Sequence, residues 1–414
     1  MLLFYRLLIN LIFIFSPLII LVRLFKKKEH FFRFKEKFAI FSKKRKNGKL
    51  IWFHGASVGE LMSVVPLIEK LEKKKNINQI LVTTTTLSSA KIFDKFKFKK
   101  TVHQFFPVDT NYLSKKFLSY WKPNLVIFID SEIWPNMLTN LKKRSISHIL
   151  LNARISKKSF RKWKALGKFS KNLFKSFDYI YPQSEEARKY LKQLNVTKIK
   201  TLGNLKFSES IFNSKESVNP NLKDFLKNKK YWCAVSTHEG EEFIVGNVHL
   251  NLQKKFHNLL TIIIPRHIHR TKQIVHTLSQ LGLRTHLHNL NKKIPKNTQI
   301  YIVNTYGETK SFFKTCKIVF TGKSLVVGGG QNPLEPARYN CNIIHGPKVS
   351  NFREIYDLLD KNKVSFKVNN QNKLINKINE LFKKNVGFKN IGNKIDIMGK
   401  KILKKTLTEI EKFL

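Results

Sequence analysis

The sequence has few cysteines. Only Cys233, Cys316 and Cys341 occur among 414 residues, and their spacing fits neither a structural zinc site nor a disulfide framework. This scarcity argues against a small disulfide-stapled protein and favours a reducing compartment. The two histidines of "RHIHR" (266–270) do not supply a metal site, because no third and fourth ligand stand at a characteristic spacing from them.

Acidic residues are also scarce. The chain has 27 Asp and Glu against 78 Lys and Arg, which gives a net charge of +51. An excess of this size favours a polyanionic partner such as nucleic acid, an anionic bilayer or a phosphorylated substrate. Lys, Asn, Ile and Phe are all abundant, however, so a general compositional bias explains the charge equally well. The hydrophobic content of 42% argues against disorder and supports two domains with separate cores.

The N-terminal segment lacks charge from Leu7 to Val22, a run of sixteen residues. Spanning the hydrocarbon takes about twenty residues, so this segment either barely spans a membrane or lies at its interface. No A-x-A-like cleavage site follows it, which argues against a signal peptide. We expect residues 1–24 to be a membrane anchor, with the lysines at 26–28 keeping the rest of the chain cytoplasmic. The alternative is an apolar first helix packed on the globular body.

Beyond residue 50, short apolar runs alternate with segments of helical periodicity, the pattern of a parallel sheet covered by helices. One predicted helix covers 61–74, with a kink or break at Pro66, and another covers 184–193. The predicted strands are 50–55, 79–86, 103–109, 124–130, 147–152 and 178–184, then 231–236, 259–265, 299–304, 317–322 and 342–346.

This alternation predicts two doubly wound α/β domains in series with a cleft between them. In such sheets ligands bind beyond the carboxyl ends of the strands, so residues directly after strands are the candidates for a site. The expected segments are an anchor (1–24), a basic juxtamembrane segment (25–49), a first domain (50–207), a linker (208–230), a second domain (231–395) and a C-terminal helix (396–414).

Polar residues follow two strands of the predicted first domain. In "HGASVGE" a helix starts near Glu60, and the helix dipole favours an ionised carboxylate there, ready to accept a proton. The alternative is an ordinary helix-start Glu. In "DSEIWPN" Asp130 and Glu132 could bind sugar hydroxyls or steer a cation-like transition state, or they could cap the next helix.

The predicted second domain carries the features of an anion site. Arg266 follows an apolar strand and offers a forked donor to phosphate or carboxylate. Glu308 stands at a helix start in "YGET" (306–309). In "GGGQNPLEP" (328–336) the glycines permit close approach of a ligand, Pro333 marks a first helical turn, and Glu335 could hold ribose hydroxyls. Walker and GxGxxG patterns are absent, so the set predicts a nucleotide-phosphate site of another kind.

Several motifs together resemble those of one family. "HGASVGE", "VTTTT", "SEIWPN", "NARIS", "GNLKF", "STHEGEE", "PRH", "GGGQNPLEP" and "GPKVSNFREI" stand in the order found in the 3-deoxy-D-manno-octulosonic acid (Kdo) transferases of lipid A, over about residues 50–355. The resemblance implies a GT-B glycosyltransferase with two Rossmann-like domains facing a cleft, the acceptor bound by the first and the donor by the second. It also implies CMP-Kdo as donor, a phosphorylated lipid A precursor as acceptor, the cytoplasmic face of the inner membrane, and no metal or other cofactor.

The resemblance also assigns roles to residues. Glu60 corresponds to the catalytic base, while Lys206 and one acid of the segment 130–132 correspond to positions that support the transition state. The implied CMP-binding residues are Pro265, Arg266, Tyr306, Gly307, Glu308, Asn332, Pro333, Leu334 and Glu335. Three positions depart from the family, which usually has His at Gln331, Glu at Asp130 and Gly at Lys323.

Two other functions fit parts of the pattern. A GT-B transferase using another activated sugar, such as a UDP-hexosamine, would share the fold. A basic nucleic-acid binder at the membrane would require a recognisable module of interleaved cations and aromatics, and none is present, so no nucleic-acid partner is expected. The basic segment 25–46 is either an interfacial surface that attracts anionic lipid or a solvated linker.

Overall fold

The computed structural model describes residues 1–209, 220–289, 293–305, 307–326, 328–383 and 390–414. The chain divides into two compact units. Unit 1 comprises Met1–Ser210 and Met398–Leu414, and unit 2 comprises Ile211–Ile397. Each unit contains a parallel β-sheet flanked by helices, so the expected α/β architecture of two Rossmann-like units is confirmed.

Unit 1 contains a six-stranded sheet in which every pair of neighbours is parallel. Its strands are β1 (Leu50–His54), β2 (Gln79–Thr84), β3 (Thr101–Phe105), β4 (Leu125–Ile129), β5 (Ser147–Ala153) and β6 (Tyr179–Pro182). Their order is β3-β2-β1-β4-β5-β6. The direction of strand addition reverses between β1 and β4, the place where doubly wound sheets bind ligands.

The helices of unit 1 cover a sheet that is buried on both faces. The whole of β1, β2 and β4 is buried, as a parallel sheet between helix layers requires. The core includes the fully buried rings of Trp52, Phe117, Trp121 and Phe128. The helices are α1 (Leu2–Phe25), α2 (Val58–Glu72), α3 (Leu87–Phe93), α4 (Asn111–Trp121), α5 (Pro135–Lys143), α6 (Lys157–Ala165), α7 (Lys168–Phe174) and α8 (Glu185–Gln193), with 3-10 turns at Arg33–Phe38 and Leu205–Ser208.

Unit 2 contains a seven-stranded parallel sheet in the order β13-β12-β11-β7-β8-β10-β9. Here the order reverses between β7 and β11. The strands are β7 (Lys230–Thr237), β8 (Leu259–Pro265), β9 (Thr285–Leu287), β10 (Ile300–Ile302), β11 (Ile318–Thr321), β12 (Asn342–His345) and β13 (Ser365–Lys367). The helices are α9 (Pro220–Leu226), α10 (Glu241–Gln253), α11 (Thr271–Gln280), α12 (Thr309–Thr315), α13 (Leu334–Arg338), α14 (Arg353–Lys361), α15 (Gln371–Lys383) and α16 (Ile391–Glu411), the last continuing into unit 1, and a 3-10 turn covers Ile268–Arg270.

All eleven predicted strands are present, with ends shifted by a few residues. The short edge strands β9 and β13 were not predicted. Pro66 does not interrupt the helix, because α2 is continuous from Val58 to Glu72, and the alternative of a kink there stays a prediction. Burial of its inner face, including Val65, Leu67 and Ile68, outweighs the backbone hydrogen bond that a proline removes.

Two segments at the ends of unit 2 bear on the predicted boundaries. Within the expected linker 208–230, residues 210–219 lie outside the described part, while α9 buries Leu222 and Leu226. Most of α16 belongs to unit 1. There the buried Glu409 accepts hydrogen bonds from Lys200 at 2.8 Å and from Tyr181 at 3.2 Å.

Candidate active site

Glu60 lies at the reversal point of the unit 1 sheet, just beyond β1. Ser57 is the N-cap of α2, and Glu60 is the third residue of that helix. The Oε2 atom of Glu60 accepts hydrogen bonds from the backbone N–H of Ala56 at 2.6 Å and of Ser57 at 3.3 Å. The Ser57 hydroxyl donates to Oε1 at 3.0 Å and accepts from the Glu60 N–H at 3.4 Å. This capping box fixes the carboxylate at the carboxyl end of β1.

The surroundings of Glu60 raise the pKa of its carboxyl group. Burial contributes most, followed by the negative charges of Asp130 and Glu132, and the hydrogen bonds from Ser57 oppose the change only in part. The net change in the pKa is therefore opposite in direction to the effect of the helix start alone. A raised pKa makes the ionised form a stronger base, which is the property that proton abstraction requires.

Asp130 follows β4, the strand next to β1, and is almost completely buried. Its backbone is left-handed, with φ of 56°. The Oδ1 atom accepts a hydrogen bond from the Asn152 amide at 2.5 Å. The Lys206 ammonium lies 3.9 Å from Oδ2, so these predicted residues are brought together.

Asn152 is a member of this cluster that sequence reasoning missed. Its Oδ1 atom accepts a hydrogen bond from the Leu205 N–H at 2.9 Å, at the start of the turn that carries Lys206. One side chain therefore holds both Asp130 and the Lys206 turn. The feature of the sequence that could have identified Asn152 is its polar amide near the end of the apolar strand β5.

Glu132 has different partners from Asp130. Its Oε2 atom lies 3.0 Å from His54 Nε2 and accepts a hydrogen bond from the Trp134 indole at 2.8 Å. The alternative that these two acids cap the next helix is wrong, because neither side chain caps α5. Asp109 instead accepts the first backbone N–H groups of that helix, from residues 136 and 137.

In unit 2, Glu241 organises the reversal point between β7 and β11. This fully buried carboxylate accepts backbone hydrogen bonds from Lys323 at 2.7 Å, Ser324 at 3.0 Å and Leu325 at 3.2 Å. It also accepts one from His238 at 3.0 Å, just after β7. Sequence reasoning missed Glu241, although an acid in the first turn of α10 within "STHEGEE" was a signal. Its role here is to hold the loop after β11 in one conformation.

That loop needs residues that tolerate a left-handed backbone. Gly329 has φ of 117° and Gly330 has φ of 73°, and the Gly330 N–H donates to the Lys323 carbonyl at 2.8 Å. A Cβ on Gly330 would lie 3.0 Å from the Cα of Val349. Lys323 itself has φ of 59°, a backbone conformation that glycine adopts without strain.

The remaining predicted residues of unit 2 that the structure describes lie at the same edge of its sheet. Asn332 accepts the Leu334 N–H at 3.1 Å, and α13 begins after Pro333 with the half-buried Glu335 in its first turn.

Pro265 ends β8, and the exposed Arg266 follows it. Glu308 lies just before α12, and its Oε2 atom is 2.7 Å from the Nε2 atom of His288. Gly307 has φ of 97°, and Tyr306 is outside the described residues. These residues follow β8, β10 and β11, whose carboxyl ends face one edge.

No group of three His, Cys, Asp or Glu side chains suited to a metal ion occurs among the residues that the structure describes. The polar groups at the edge of the unit 2 sheet are backbone amides and a guanidinium, which donate hydrogen bonds, and amide or carboxylate side chains, whose oxygens accept them.

A family model described as 3-deoxy-D-manno-octulosonic-acid transferase (kdotransferase) matches residues 32–209. The 3-deoxy-D-manno-octulosonic acid transferase of Rickettsia bellii is 35% identical over 367 residues, which cover 89% of this chain and 87% of that protein. The chain belongs to the Kdo transferase family. Kdo transferases are glycosyltransferases, so it is an enzyme of that class. The Haemophilus influenzae member is 28% identical over 312 residues, 75% of this chain and 73% of that protein.

Solved structures support the fold of this Kdo transferase family member. UDP-GlcNAc 2-epimerase from Neisseria meningitidis, bound to UDP-GlcNAc, matches with a TM-score of 0.60 and 13% sequence identity. The match covers 87% of this chain and all of that one. At this identity the likeness concerns the fold alone, which is GT-B.

Proposed function

We propose that this enzyme transfers Kdo from CMP-Kdo to a phosphorylated lipid A precursor by a single displacement with inversion. The observation that carries the proposal is the position of Glu60, a half-buried carboxyl group with a raised pKa beside Asp130 and Glu132 at the reversal point of the unit 1 sheet. A carboxylate in such surroundings is a suitable general base for a sugar hydroxyl.

In the proposed step, ionised Glu60 takes the proton from a glucosamine hydroxyl of the acceptor. The hydroxyl oxygen forms a bond to the anomeric carbon of Kdo as the bond from that carbon to the CMP phosphate oxygen breaks, with inversion at the carbon. Positive charge develops on the Kdo ring, and negative charge develops on the departing phosphate.

Lys206 and the acids near it act as electrostatic support for this step. Asp130 is the better candidate of the two acids, because it faces Lys206 at 3.9 Å, whereas Glu132 is held by His54 and Trp134. Preorganised charges of this kind stabilise a transition state without reorganising during the reaction.

Unit 2 binds the donor in this proposal. Arg266 and the backbone N–H groups of Asn332 and Glu335 stabilise the phosphate of CMP, because a forked guanidinium and N–H groups at a turn both favour an anion. Pro333 has no N–H, and that of Leu334 donates to Asn332. Glu335 and the segment 306–308 contact the nucleoside. A single phosphate carries too little charge to require a metal ion for its departure.

The acceptor explains the charge of the chain. A phosphorylated lipid in an anionic leaflet attracts lysines near the surface, each worth about 1 kcal/mol. We place the enzyme at the cytoplasmic face of the inner membrane, with α1 as its membrane attachment and the basic segment 25–46 facing anionic lipid.

The test is incubation of the purified full chain with CMP-Kdo and a lipid A precursor, with products counted by mass spectrometry. We expect mass increments of whole Kdo units, lost in Glu60→Gln and retained in the matched control Glu69→Gln, an exposed acid in the same helix. Calorimetry with CMP and UDP tests the donor separately. Binding of UDP in preference to CMP would instead identify a transferase for a UDP-hexosamine type of donor.

A further inference from the structure

Helix α1 contacts unit 1 along a single face from one end to the other. The side chains with reduced exposure are Leu2, Tyr5, Arg6, Ile9, Phe13, Ser16, Ile20, Arg23 and Leu24. They recur every three or four residues and form one stripe, roughly 100° wide for a helix of 3.6 residues per turn. The stripe runs the full length of the helix.

The first turns of α1 are fixed by polar contacts. The Tyr5 hydroxyl donates to Asp109 Oδ2 at 2.8 Å. The Arg6 guanidinium donates to the side-chain oxygens of Asn136 at 2.9 Å and Asn111 at 3.3 Å. These partners lie at the start of α4 and α5, within the body of unit 1.

The middle and the last turn of α1 contact the same unit. The ring of Phe13 packs edge-on against Phe38, with centroids 5.8 Å apart. Near the end of the helix, Arg23 lies 2.6 Å from the buried Glu29, which also pairs with Lys37 at 2.6 Å. The helix is therefore attached at both ends.

The opposite face of α1 is exposed and apolar except for Asn10. Its exposed large side chains are Leu3, Phe4, Leu7, Leu8, Leu11, Ile12, Ile14, Phe15, Leu18, Ile19, Leu21, Val22 and Phe25. The two charged residues of the helix, Arg6 and Arg23, both belong to the contact stripe. The outer face thus carries no charge over its whole length.

This arrangement is incompatible with a helix that crosses a bilayer. A 24-residue helix is about 36 Å long, close to the roughly 30 Å of the hydrocarbon. If α1 crossed the membrane, the polar groups attached to one of its ends would have to enter or cross the hydrocarbon, and charged groups there are costly.

We propose that α1 lies in the plane of the membrane and inserts its outer face into a single leaflet, while its inner face stays on unit 1. The exposed Phe31 and Phe32 and the lysines at 26–28 follow the helix, and aromatic and basic residues are the groups that favour the headgroup region. This deepens the proposed membrane location and is independent of the sugar chemistry.

The test places a fluorescent label along the outer face of the full chain. Phe4→Cys, Ile14→Cys and Phe25→Cys each present an exposed thiol, whereas the native cysteines are buried. Lys272→Cys, exposed in unit 2, is the matched control. Each variant is labelled with an NBD maleimide and added to preformed vesicles of phosphatidylethanolamine and phosphatidylglycerol containing shallow or deep nitroxide lipids.

An in-plane helix predicts that all three α1 labels shift to shorter emission wavelength and are quenched at one common depth. It also predicts that external dithionite reduces all three, with no shift for the control. If the label at position 14 lies deeper than the labels at positions 4 and 25, the proposal is overturned in favour of a spanning helix. Protection of the label at position 4 or 25 from dithionite would have the same meaning.

Contact between copies of the chain is the other outcome that would overturn the proposal. It predicts disulfide dimers of Phe15→Cys with no quenching by nitroxide lipids. Unfolding midpoints of the labelled variants provide the folding control, and Leu3→Cys and Val22→Cys replace any variant that fails it. None of these readouts requires Kdo transfer, so failure of the proposed reaction would leave them interpretable.

Discussion

The Nε2 atom of His54 lies 3.0 Å from the Oε2 atom of Glu132 and joins the carboxyl ends of the neighbouring strands β1 and β4. Because His54 Nδ1 faces the Thr83 hydroxyl at 2.9 Å, a proton on Nε2 gives both ring nitrogens a partner. Glu132 is thereby fixed, whereas Asp130 faces Lys206. The two acids have separate partners, and their effects on Glu60 can be measured separately.

We expect Asp130→Asn and Glu132→Gln to lower the pKa of Glu60, because each removes a negative charge that raises it. The acidic limb of the kcat/KM profile should move to lower pH in both variants, and further for Asp130→Asn, since Asp130 has the larger effect. The measurement is the pH dependence of Kdo transfer. If the acidic limb of the profile stays at the same pH in both variants, the group that titrates in this limb is not Glu60.

Glu60→Gln should lower kcat by about 10²- to 10⁴-fold, the usual contribution of a general base. In the unchanged enzyme, activity should fall as the pH drops below the raised pKa of Glu60, because only the ionised form accepts a proton. Steady-state rates across pH test both statements, with Glu69→Gln as the control.

The stability of Glu60→Gln should move in the opposite direction to its activity. Because the folded-state pKa of Glu60 is raised, its favourable contribution is present below its unfolded-state pKa and lost as the pH rises through the folded-state value. Gln is neutral and can keep the capping box. The unfolding temperature at neutral pH should therefore be equal or higher, and a marked decrease would contradict this account.

Gly330→Ala should weaken CMP binding roughly 5- to 30-fold, as expected from about 1–2 kcal/mol of left-handed backbone strain. Its φ is 73°, and an added Cβ would meet Val349 at 3.0 Å. Gly328→Ala is the matched control, because its Cβ would contact only Lys348 at 3.9 Å. Calorimetric titration with CMP checks the difference, and equal affinities would argue against this loop as the phosphate site.

Asp109 should make unit 1 less stable as the pH rises. Burial raises its pKa from 3.8 to about 6, so its stabilising contribution is present below pH 3.8 and lost as the pH passes through about 6. The full loss of this contribution lowers the free energy of unfolding by roughly 3 kcal/mol.

Asp109→Asn should remove this pH dependence, although it also loses acceptor capacity for the helix α5 amides and so lowers stability at low pH. Urea unfolding at pH 4 and pH 8 measures most of the effect, with the exposed Asp94→Asn as the control. If both variants retain the slope of the unchanged protein, another group is responsible.

Much of the fold could be predicted because each buried parallel strand appears as a continuous apolar run. The strands β9 and β13 could not be predicted, since each has only three residues and lies at a sheet edge, where no continuous apolar run is required. Glu60 was identifiable from its motif and its place after a strand. The contacts of Asn152 and Glu241 could not be identified from the sequence. The hydrogen bond of Asn152 joins segments 53 residues apart, and those of Glu241 to the loop after β11 join segments more than 80 residues apart.

The return of residues 398–414 to unit 1 has a consequence for biosynthesis. The ribosome makes all of unit 2 before it makes the segment whose Glu409 pairs with Lys200. The nascent unit 1 therefore emerges without the residues that occupy the α16 position, whereas the whole of unit 2 has been made by residue 397. Shortening the chain from its C-terminal side would consequently damage the half of the enzyme that is made earliest.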